Sequence, residues 1–197
     1  MTTRVTTELL KEVASSSTND GTSLNSADSG KVVQLNAQGA IPSVYFNPII
    51  DQWRLTSNLT GDAAPISSNL NRSAKLGGDT MSQSSGVFTF PKTGIYKVEA
   101  VFQAAATAGT GNCTVSIDVS TNADLETPTF AAAAQGLESG LPTVDFGNIF
   151  LSALVDVTST SSVKVRFSVA QSNDGNALMG SSSANQTHFT FTRIGDT

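Results

Sequence analysis

From about residue 51 onward, apolar residues recur at every second position in short runs, and turn-forming clusters separate the runs at intervals of roughly 8 to 20 residues. Cys113, Val115, Ile117 and Val119 alternate with Thr114, Ser116, Asp118 and Ser120. Val163, Val165, Phe167 and Val169 alternate with Lys164, Arg166 and Ser168, and Phe189 and Phe191 share one face of "THFTFTRIG". Period two over such lengths predicts antiparallel strands with one face on a core and the other toward water or a partner. In "FGNIFLSALVDV", residues 146–157, Ile149, Leu151, Ala153 and Val155 alternate with Phe150 and Leu154, so both faces are apolar. A strand of that kind is either central in a sandwich or covered by another subunit. Phe150, Leu151 and Leu154 are its interface candidates.

The first 50 residues follow another pattern. Val5, Leu9, Leu10 and Val13 recur at helical spacing and predict a short amphipathic helix over about residues 4 to 14. "SSSTNDGTSLNSADSG" is small and polar, a linker composition that cannot build a core. In "GKVVQLNAQGAIP", residues 30–42, Val33 and Leu35 alternate with Gln34 and Asn36 ahead of a turn. The expected organisation is an attachment arm over residues 1–50 and an all-β domain over residues 51–197.

Composition narrows the function. The 197 residues include 11 Lys and Arg against 16 Asp and Glu, a net charge of −5, and charged residues are only 14% of the chain. The basic residues are scattered rather than striped, which argues against nucleic acid as a partner. No apolar run is long enough for a membrane helix, and "MTTRVTTELLKEVASSS" lacks the apolar centre of a secretory signal. Synthesis in a cytoplasm is expected, without membrane insertion. The Asn-x-Ser/Thr sites at Asn58, Asn71, Asn112 and Asn185 then reflect a chain rich in those residues.

Reactive chemistry is sparse. Cys113 sits in an alternating run and reads as a small buried side chain. His188, the one histidine, lies inside a strand pattern without an evident nucleophile and acid beside it. No zinc spacing and no phosphate-cradling loop is present, and no cofactor is expected. Asp118, Asp124 and Glu126 either converge as oxygen ligands for calcium or are solvated loop acids. Trp53, Tyr45 and Phe46 at the arm–domain junction either anchor an interface, stack on a sugar ring, or pack the junction onto the domain.

The segment "GVFTFPKTGIYKVEAVFQ", residues 86–103, resembles the strand, Pro-x-x-Gly-x-Tyr corner and strand of the complement-component-1q-like and tumour-necrosis-factor-like jelly rolls, through Gly86, Phe88, Phe90, Pro91, Gly94 and Tyr96. "WRLTSNL", residues 53–59, resembles an early strand of that fold and "FTFTRIG" its last. The resemblance implies an antiparallel ten-stranded jelly roll that associates as a homotrimer, which makes Phe150, Leu151 and Leu154 trimer-interface candidates. Residues 30–42 resemble a short element of tailed-bacteriophage virion proteins. Together these imply a non-enzymatic capsid decoration protein at the virion surface, made in the host cytoplasm and docked on the major capsid protein or another virion protein. Val5, Leu9, Leu10, Val13, Val33 and Leu35 would carry that attachment. The alternative is a tail fibre tip that binds a host-surface glycan.

Overall fold

The computed structural model describes residues 49–106, 111–125, 128–141, 145–172 and 176–197. The expected helix and strand of the arm, with Val5, Leu9, Leu10, Val13, Val33 and Leu35, lie outside the described residues, as do Tyr45, Phe46 and Glu126. The described chain forms strands β1 (Ile50–Leu55), β2 (Leu59–Thr60), β3 (Leu70–Leu76), β4 (Ser82–Ser84), β5 (Val87–Thr89) and β6 (Gly94–Ala106). They are followed by β7 (Gly111–Ser120), β8 (Ala131–Leu141), β9 (Phe146–Val157), β10 (Lys164–Gln171), β11 (Asn176–Leu178) and β12 (His188–Gly195).

These strands make two antiparallel sheets with the interleaved order of a jelly roll. One runs β4–β5–β10–β7–β8. The other runs β2–β11–β6–β12–β1–β3, with β9 also paired to β6. β6 is 13 residues long, and its length has a use: β9 pairs along nearly all of it, while β12 and β11 pair with its first and second halves. The stretch expected as one early strand breaks after Leu55, where the Thr56 N–H turns to the Asn69 carbonyl at 2.7 Å.

Alternation along the strands determines the core. Phe88, Phe102, Phe167, Phe189 and Phe191 are fully buried between the sheets with Leu55, Tyr96 and Ile117. Phe167 of one sheet stacks on Phe189 of the other with ring centroids 3.7 Å apart, and Phe88 meets Trp53 edge-on at 5.4 Å. Such pairs add about 0.5–1.5 kcal/mol each to the burial of their area. Trp53 is therefore a core residue, 8% exposed, and the Arg72 guanidinium lies 4.6 Å from its ring centroid. It cannot serve as an exposed anchor or sugar platform.

One strand departs from simple alternation. In β7 the residues expected to face water, Ser116, Asp118 and Ser120, are buried like Cys113, Val115 and Ile117. Their cover comes from the neighbouring strand and the approach to β8. Arg166 donates to the Asp118 carboxylate at 3.1 Å, Ser168 donates to it at 2.6 Å, and the Arg166 guanidinium rests over the Phe130 ring at 4.4 Å.

Candidate functional site

The six residues of the corner motif have structural tasks. Gly86 has φ +80°, and a Cβ there would lie 2.3 Å from the Ile66 carbonyl oxygen. Gly94 has φ +135°, and its Cβ would meet the Gly195 carbonyl oxygen at 2.5 Å and the Arg193 side chain at 2.6 Å. Only glycine fits either place. Phe88 centres the aromatic cluster, and Phe90 packs on Tyr96 with centroids 4.7 Å apart. Pro91 begins the corner, and across it the Tyr96 hydroxyl donates to the Lys92 carbonyl at 3.0 Å. Burial pushes the Tyr96 phenol up, the nearby Arg193 charge opposing it in part. The motif therefore joins β5 to β6 and leaves no group for chemistry.

Functional interest moves to the outward side of the sheet that contains β9. Phe150 is 73% exposed and Leu154 70%, and Phe146 is exposed on the same side. Leu151 points the other way and packs, partly buried, against the core. Its place among the interface candidates is thereby corrected: parity puts it with Ile149, Ala153 and Val155, all buried. β9 is apolar on both faces because it lies at a sheet edge with one face on the core and a second apolar row turned outward. Phe146 was missed, although the same parity as Phe150 and Leu154 marks it.

Register places Val101 between Phe150 and His188, and Lys97 opposite Leu154. A cavity of about 330 Å³ opens there, lined by Glu99, Val101, Phe150, Ser152, His188 and Thr190 among others. Its surroundings are a tied polar band. Lys97 pairs with Glu99 at 2.6 Å, Gln52 donates to Thr190 at 3.0 Å, and Asn185 donates to Gln52 at 2.6 Å. Two nitrogens on this side, His188 Nδ1 and Arg54 Nε, are buried without a hydrogen-bond partner among the described residues.

His188, Ser152 and Glu99 share the cavity, yet they do not form a relay. Among the described residues no hydrogen bond joins His188 to either of them, and Glu99 is engaged by Lys97. Nucleophilic catalysis needs the nucleophile and its base within hydrogen-bond reach. Of the acids considered for calcium, Glu126 lies outside the described residues. Asp118 is consumed by Arg166 and Ser168 inside a sheet, Asp124 is exposed, and no metal-holding group of three or more His, Cys, Asp or Glu occurs among the described residues. Asn58 accepts from the Gly180 N–H at 3.0 Å, Asn112 from the Gly140 N–H at 3.0 Å, and Asn185 holds Gln52. Three of the four Asn-x-Ser/Thr asparagines thus tether backbone or strand side chains.

No protein-family model matches the sequence, and no curated protein matches it. Among solved structures the chain is similar to the Eiger TNF of S. frugiperda, with a TM-score of 0.55 and 13% identity over 77% of this chain and 95% of that one. It is similar to murine APRIL at pH 5.0, with a TM-score of 0.54 and 9% identity over 75% of this chain and 99% of that one. The murine APRIL structure at pH 8.5 gives 0.51 and 10% over the same shares, 75% and 99%. At such identities the likeness is one of fold. The domain is a tumour-necrosis-factor-like jelly roll.

Proposed function

We propose that this chain is a non-enzymatic structural protein of a tailed-phage virion, a homotrimer that decorates the head surface and is docked to the capsid by its first 50 residues. The observation that carries the trimer is the outward row Phe146, Phe150 and Leu154 on β9, three large exposed apolar side chains on one sheet face, with Val101 of β6 beside Phe150. Burying such a row against another copy removes apolar area from water at about 25 cal/mol per Å². Support for the virion comes from the sequence alone: residues 30–42 resemble a phage virion element and lie in an arm that precedes the domain.

Sedimentation of the full chain is expected to report three copies. Phe150→Asp is expected to give folded monomers, because an unpaired charge in a closed contact costs several kcal/mol and costs nothing on a surface that stays wet. A monomeric parent chain overturns the trimer. Location is tested separately by a virion map: density for this jelly roll at many capsid lattice positions fits decoration, whereas a few copies at the tail fit the fibre reading.

A further inference from the structure

We propose that the outward face of the β4–β5–β10–β7–β8 sheet carries a binding site for a neutral sugar, at the end where β7 begins and β10 finishes. A cavity of about 390 Å³ lies there, lined by Asn112, Thr114, Leu137, Ala170, Gln171 and Ser172. That volume falls within the ~300–1,000 Å³ range of small-ligand sites. Ala170 pairs with Thr114 and Thr114 with Leu137, so the three form one row across β10, β7 and β8. Their strand neighbours Val169, Cys113 and Val115 are buried in the core, which turns the row outward.

The lining selects its ligand by chemistry. Among the described residues its outward side chains are one amide, two hydroxyls, an alanine and a leucine, with no ionisable side chain in the lining and the Asp62 carboxylate already engaged by the Gln171 N–H at 2.7 Å. A purely apolar ligand would strip water from the amide and hydroxyls without replacing its hydrogen bonds, a cost of about 1–3 kcal/mol per group. A sugar ring meets both demands, because its hydroxyls donate and accept while its C–H face covers apolar surface. Leu137, 61% exposed, supplies that surface.

The polar groups are held in place before any ligand arrives. The Asn112 N–H donates to Ser172 Oγ at 2.8 Å, its Oδ1 accepts from Gly140, and its carbonyl accepts from Asn176 Nδ2 at 3.0 Å. These bonds leave the Asn112 amide NH2 to point at a partner. Gln171 pairs in register with the core residue Cys113, and its Oε1 accepts from the Gly61 N–H at 3.2 Å. Its side chain is therefore on the inward side of the sheet, and the outward polar groups are those of Asn112, Thr114 and Ser172. The site is on the face opposite Phe150 and Leu154, so the inference does not rest on the trimer.

Saturation-transfer NMR on the full chain, with the methyl glycosides of glucose, galactose, mannose and N-acetylglucosamine each added alone at millimolar concentration, tests the site. Transfer to at least one glycoside is expected. Thr114→Val is expected to weaken it about five-fold through the loss of one hydrogen bond, and Leu137→Asp to abolish it. Thr114→Val keeps shape and strand preference, so it remains informative should Leu137→Asp fail to fold. Transfer to none of the four glycosides, equal transfer to glycerol, or transfer unchanged in Thr114→Val overturns the proposal.

Discussion

Gly86 and Gly94 differ from Gly61 in one respect that gives them different worth. All three have positive φ, +80°, +135° and +77°, but a Cβ at Gly61 meets nothing within 4 Å whereas at the other two it runs into backbone oxygen. Gly61→Ala is therefore expected to cost about 1–2 kcal/mol, the left-handed penalty alone. Gly86→Ala and Gly94→Ala add a collision that only a backbone shift relieves, and each is expected to cost about 3–4 kcal/mol. Urea midpoints of the three variants, measured at equal slope, check the ranking. Cys113 offers a pH test at the same scale. Burial, with Glu138 adding to it, pushes its thiol up from 9.0 to about 11. The folded state then holds a proton that the unfolded state has released, so the stabilising contribution is complete below pH 9 and is lost between about pH 9 and 11. Cys113→Ala is expected to flatten the fall of stability over that window relative to the parent. Iodoacetamide at pH 8 should label the native thiol only as fast as the protein opens.

Among the elements, the tie between β1 and β3 shows how a charged residue became invisible to the sequence pattern. Asp51 is completely buried, accepting from Arg72 Nε at 2.9 Å and from the Met81 N–H at 2.8 Å, and Arg72 in turn donates to the Met81 carbonyl. Asp51→Ala leaves both donors without their acceptor. A loss of about 2–4 kcal/mol is expected, below the full cost of a broken buried pair because Arg72 is 30% exposed. Asp51→Ala combined with Arg72→Met is expected to recover part of it in thermal unfolding, and a double variant no better than the single one would contradict this account. Alternation around Phe167, Phe189, Tyr96 and Val98 made the antiparallel strands legible, since one period serves both core and strand, while the jelly roll itself was implied by the resemblance of residues 86–103. Asp51 breaks that pattern, and its partners come from 21 and 30 residues away. The interface candidates divide in the same way: parity alone separates Leu151 from Phe150 and Leu154, but which parity faces the core is decided by the pairing of β9 with β6. The lining of the second cavity was not legible at all, because Asn112, Leu137 and Gln171 belong to three strands and carry no spacing signal.

At the scale of the whole molecule, the proposed arm and the proposed trimer have to work together, and simple magnitudes say why. Complete burial of Val5, Leu9, Leu10 and Val13 contributes at most roughly 1.5–3 kcal/mol each, about 6–12 kcal/mol in all. Ordering about ten backbone residues of a helix costs on the order of 10–20 kcal/mol. One arm therefore does not hold by itself, even on a matched surface. Pairing of the strand expected around Val33 and Leu35 would add backbone hydrogen bonds. Three arms on one trimer turn the second and third contacts into intramolecular events, raising apparent affinity by about 10²–10⁴. Attachment should then fall steeply with loss of trimer even though Phe150 and Leu154 lie far along the chain from the arm. The measurement is occupancy on particles that lack the protein, after adding the parent chain, a Leu9→Asp/Leu10→Asp variant and the Phe150→Asp variant. Both variants are expected to lose binding, the first by removing the contact and the second by removing its multiplicity. Parent-level occupancy by Leu9→Asp/Leu10→Asp would move the docking surface onto the jelly roll, and parent-level occupancy by a monomeric Phe150→Asp would show that a single arm is enough.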